Sequence, residues 1–105
     1  MSTIVDTICM ILSYSMMQEV SAMIEFNKCA VGKVIRKIRK EKHLSQEVFS
    51  GLAGLARTHI AMIESGAKQA NFETIWRIAN AFDIPPHKLV EMIENEIKSP
   101  TKVEL

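Results

Sequence analysis

From residue 28 onward the apolar positions recur at a helical interval, and nowhere do they alternate as a half-buried strand would. Val31, Val34, Ile35 and Ile38 share one face of a first helix, with Lys33, Arg36, Lys37 and Lys40 on the other. That helix should run to about Lys42 and break at His43. Ser45 is suited to cap a second helix, with Gln46 and Glu47 in its first turn and Phe49, Leu52 and Ala53 on its buried face. Gly54 should end it, because glycine enters the left-handed conformation at little cost. Leu55 plugs the turn, and a third helix follows from about Arg57 to Ser65, closed by Gly66. In it Ile60 and Ile63 point inward, leaving Thr58, His59, Ala61 and Met62 outside. Asn71 caps a fourth helix that turns Phe72, Ile75, Ile78, Ala79 and Phe82 to the core. Pro85 and Pro86 prevent its continuation and start a fifth, with Leu89, Met92 and Ile93 as its stripe. The pattern predicts an all-α fold without internal repeats. A compact five-helix domain occupies residues 28–97, between an apolar N-terminal helical extension (1–27) and a frayed tail (98–105).

One passage carries more than packing information. A capped short helix (Ser45, Gln46, Glu47), a tight turn at Gly54 and a second short helix opening on Arg57 form a helix-turn-helix pattern. Such a unit places its second helix in the major groove of DNA, with the N-terminal residues of that helix at base edges. Arg57 is suited to donate two hydrogen bonds to guanine O6 and N7, and Thr58 to bond a base or meet a thymine methyl. Met62 lies one turn further along the same face, within reach of a thymine methyl; His59 either touches DNA or packs on the surface.

Over residues 31–95 the chain resembles the lambda-repressor/Cro-like, or XRE, family of helix-turn-helix domains, on Leu44-Ser45-Gln46-Glu47, Leu52-Ala53-Gly54-Leu55, Arg57-Thr58-His59-Ile60 and Ile63-Glu64-Ser65-Gly66. The resemblance implies a lambda-repressor-like fold and double-stranded DNA as partner. It puts Gln46 where relatives anchor a phosphate or brace the recognition helix, and Lys68 and Gln69 where they contact backbone phosphate. It also implies a buried ion pair between Arg39 and Glu64. The sequence departs from the family at Ala56, where relatives usually carry a Ser or Thr cap, and at Ser50, Gly51 and Met62. The passage Gly54, Leu55, Arg57, Thr58 is similar to restriction–modification controller proteins, and phage repressors and plasmid regulators share it.

Charge sharpens this reading. The net charge is only +1, but residues 28–68 hold nine Lys or Arg against three Glu, whereas residues 1–27 hold three acids and no base. Positive charge therefore falls on the helix-turn-helix, where phosphates would need it. Cys9 and Cys29 lack CxxC spacing and a nearby His, so neither a disulfide scaffold nor a metal site is expected. His43 and His87 read as a turn and a surface residue, and Trp76 as packing or interface. No nucleophile–base pair or phosphate loop points to an enzyme, and no cofactor is implied.

Residues 4–26 are conspicuously apolar, yet the charge-free run from Thr7 to Gln18 is too short to span a bilayer and no base precedes it. A cytoplasmic protein without a membrane partner is expected. Ile4, Ile8, Ile11 and Leu12 fit a helix that covers the domain, extends a dimer interface or binds a protein partner; alternatively Met16, Met17 or Met23 is the true start. The function expected is operator binding as a homodimer, because one short helix reads too few base pairs. Trp76 and Val90 are available for that interface. The rival expectations are an antitoxin-type regulator that also holds a toxin, and a protein-interaction module of the same fold.

Overall fold

A computed structural model describes residues 24–100, which form five helices and no strand. They are α1 (Lys28–Glu41), α2 (Gln46–Ala53), α3 (Arg57–Ser65), α4 (Phe72–Ala81) and α5 (Pro86–Lys98). The extension expected over 1–27 lies outside the described residues except for positions 24–27, which are not helical. Of the expected tail, Lys98 is the last residue of α5, and 101–105 lie outside the described residues.

Local chemistry sets the helix ends. The side chains of Asn27, Ser45 and Asn71 accept from the backbone amides of Cys29, Val48 and Thr74, which caps α1, α2 and α4. Gly54 and Gly66 take left-handed φ values of 68° and 81° and close α2 and α3. His43 is itself left-handed (φ 57°), which turns the chain sharply out of α1.

The core is one cluster centred on Ile35, Phe49, Ile60, Ile63, Ile78, Phe82 and Leu89. Phe49 of α2 and Phe82, just past α4, stack with ring centroids 4.4 Å apart. Two expected core residues are not in it. Leu52 is 59% exposed, because Phe49, Ser50 and Ala53 define the buried face of α2 and Leu52 lies more than a quarter turn from its centre. Phe72 is 75% exposed for a similar reason: α4 buries Thr74, Ile78 and Ala79, and Phe72 sits on its flank beside Trp76. Apolar identity alone does not tell the centre of a helical stripe from its edge.

Candidate nucleic-acid interface

The second helix of the helix-turn-helix, α3, is anchored from behind and open in front. Ile60 and Ile63 are fully buried, which fixes its rotation about its own axis. Arg57 and Thr58 stand exposed in the first turn, and Met62 follows one turn later, 45% exposed. His59 and Ala61, expected outside, are only half-exposed, so the open face is narrower than the sequence suggests. Ala56 holds the extended geometry of a cap residue (φ −70°, ψ 144°) but offers no side-chain acceptor to the first-turn amides.

Behind this face a polar brace joins three elements. Arg39 of α1 donates from Nε and Nη2 to the two carboxylate oxygens of Glu64 at 2.7 and 2.9 Å, a two-pronged contact. Its remaining Nη1 donates to the carbonyl of Leu44 at 2.8 Å, tying in the loop between α1 and α2. Gln46 Nε2, at the start of α2, donates to Glu64 Oε1 at 3.2 Å. The hydrogen bond to Glu64 raises the Arg39 guanidinium above its ordinary pKa; burial opposes this, and the attraction of the carboxylate adds to it. Both side chains of the pair are almost wholly out of solvent. The structure thus brings Arg39, Gln46 and Glu64 together, and Gln46 engages α3 directly.

Gly32 makes the other link between α1 and α3. A Cβ there would run into the carbonyl oxygen of Ile63 and stand 2.7 Å from that of Glu64. The two helices therefore meet backbone to backbone. An isolated glycine inside a helical pattern was the only sequence signal for this contact. Nothing in the sequence pointed to Arg77 Nη1, which reaches from α4 to the Gly54 carbonyl at 3.4 Å.

Lys68 and Gln69 are exposed in the loop after α3, whose start is pinned by the bond from the Lys68 amide to the Met62 carbonyl at 3.1 Å. At the heads of α2 and α4 the caps already use the Val48 and Thr74 amides, leaving other first-turn amides for any anion. Arg36, Lys37, Lys40 and Lys42 are exposed, while Lys33 reaches Glu96 of α5 at 3.7 Å. Among the described residues no three His, Cys, Asp or Glu converge to hold a metal, and no helix is long and apolar enough to cross a membrane.

A helix-turn-helix family model matches residues 35–89. The 10 kDa control-region protein of the ImmF region of Bacillus phage phi105 is 39% identical over 49 residues, which cover 47% of this chain and 54% of that protein. The chain thus matches about half the length of this curated relative. Among solved structures, the restriction–modification controller protein C.AhdI of Aeromonas hydrophila is 34% identical with a TM-score of 0.57, over 59% of this chain and 94% of that one. A second controller, C.Esp1396I, crystallised as a tetramer on its natural 35 base-pair operator, is 29% identical with a TM-score of 0.65, over 71% of this chain and 99% of its own.

Proposed function

The chain belongs to the helix-turn-helix family, and from that premise we propose that it reads duplex DNA as a homodimer, occupying an operator to regulate transcription. The observation that carries the reading is the set of exposed side chains at the head of α3, with a buried brace holding the helix from behind. The controller C.Esp1396I, of similar fold, binds an operator as a tetramer, which supports DNA as the partner and assembly as the mode.

In this proposal residues 28–97 are the DNA-binding domain. Arg57 takes a guanine edge, Thr58 and Met62 meet neighbouring bases, and His59 borders them from its half-exposed position. Lys68 and Gln69 hold backbone phosphate and set register. Gln46 acts chiefly through Glu64, as a brace rather than a free phosphate ligand. The second copy docks on the exposed aromatic pair Phe72 and Trp76. The protein acts in the cytoplasm and needs no cofactor.

Selection of bound sequences from a random duplex library, with Arg57→Ala run alongside, tests the proposal. An enriched inverted repeat that loses preference at one base pair per half-site in the variant is the expected result. Weak binding without enrichment, abolished by moderate salt, would overturn it.

A further inference from the structure

α4 and α5 leave an apolar groove uncovered. It encloses about 370 Å3 and is lined by Ile24, Phe26, Ile75, Val90, Ile93 and Ile97. Glu94 is the one charged residue in its lining, and Lys98 Nζ approaches that carboxylate at 3.8 Å. Ile24, Phe26 and Val90 are exposed within it, in a contiguous apolar surface of the kind that soluble domains usually cover. Such a groove offers nothing to a phosphate or an acidic peptide. It fits an uncharged, apolar chain.

The protein carries such a chain at the groove's own edge. Residues 1–23 join the described fold at Ile24, itself part of the lining. In them Ile4, Ile8, Ile11 and Leu12 recur at helical spacing, and no charge occurs from Thr7 to Gln18. Reach is sufficient: residues 13–23, if extended, span up to about 40 Å, about twice the ~20 Å length of a helix the size of α5. Tethering adds to the match in chemistry, because an attached segment acts at an effective concentration on the order of millimolar, well above that of a free partner.

We propose that the apolar stripe Ile4, Ile8, Ile11 and Leu12 seats in the α4–α5 groove of its own chain, as a built-in cover for Ile75, Val90, Ile93 and Ile97. The cover is separate from the DNA-reading face of α3 and does not rest on it. Methyl-labelled full-length protein tests the contact by nuclear Overhauser effects. Cross-peaks are expected from Ile8, Ile11 and Leu12 methyls to those of Ile75, Val90 and Ile97, and they should stay absent from the isotope-filtered spectrum of a labelled and unlabelled mixture. In full-length Ile8→Asp/Ile11→Asp the Val90 and Ile97 methyl signals should shift, and binding of a hydrophobic dye should rise several-fold. Cross-peaks seen only between copies would assign the groove to a second molecule and overturn the proposal. So would their absence together with unmoved groove signals in the double variant. Operator selection reads α3 and the pairing of two copies through Phe72 and Trp76, neither of which enters this contact, so either result can fail without the other.

Discussion

Glu64 accepts three hydrogen bonds on two oxygens, two from Arg39 and one from Gln46, in a place water barely reaches. Removing it leaves the Arg39 guanidinium buried with only the Leu44 carbonyl for company. Glu64→Ala should therefore lose about 3–5 kcal/mol in urea unfolding. The apolar pair Arg39→Met/Glu64→Leu should recover most of that loss, since two well-packed apolar side chains often replace a buried ion pair without penalty. The pH dependence follows from the sign of the shift. A group whose pKa rises on folding contributes stability below its unfolded value and loses it as pH climbs through the folded one. For Arg39 both values lie far above neutrality, so its contribution should stay constant from pH 5 to 9 in the same urea series. Of this brace, the family resemblance named Arg39 and Glu64 and offered bracing as one of two roles for Gln46. The Leu44 carbonyl was invisible in the sequence, because every residue type carries one.

At the scale of elements, the sequence was most legible at the helix ends, where single residues decide. Ser45, Gly54, Gly66 and Asn71 mark ends because their side chains, or the lack of one, satisfy orphan backbone groups or permit a left-handed turn. Burial was less legible: Leu52 and Phe72 are as apolar as their buried neighbours, and only the packing partners of α2 and α4 decide against them. Two element-scale changes should raise stability. Ala56 already has a cap's backbone geometry, so Ala56→Ser should supply the missing acceptor and add about 0.5–2 kcal/mol to unfolding free energy. Gly51 lies inside α2, and beyond its chain neighbours and the helix's own backbone nothing comes within 4 Å of where a Cβ would stand, so Gly51→Ala should add about 0.5–1 kcal/mol. Denaturant titration of each variant checks both, and a loss at Gly51 would show that this turn of α2 needs glycine for another reason.

For the whole molecule, the near-neutral total conceals a division of labour. The segment of nine bases and three acids contains α1 to α3, and the acid-rich remainder contains α4 and α5. Affinity for DNA should fall steeply with salt. Lys68→Ala should flatten the slope of log K against log salt by about one, across all sequences. Arg57→Ala should instead cost about 1–3 kcal/mol against the preferred site only. Fluorescence anisotropy at several salt concentrations separates the two. α4 bears the aromatic pair at Phe72 and Trp76, the latter 49% exposed. Under the proposed pairing, Trp76→Glu should shift the protein from dimer to monomer in sedimentation equilibrium, and an unchanged dimer mass would place the interface elsewhere. The sequence showed the basic segment directly, since charge is additive along a chain. Among the apolar residues of α4 and α5 it pointed to Trp76 and Val90, which lie open, but it placed the exposed Phe72 in the core, since that depends on how the helices lean together.

The contact at Gly32 has a bearing on how such a protein changes over time. α1 rests on the main chain of α3 at Ile63 and Glu64, not on the side chains that face outward. Orientation of α3 is thus indifferent to what stands at positions 57, 58 and 62. Under the function proposed above, new specificities can be sampled there by drift while the scaffold registers no change. The glycine has no such freedom: a single added methyl group there would meet the Ile63 and Glu64 carbonyls and displace α3 as a whole.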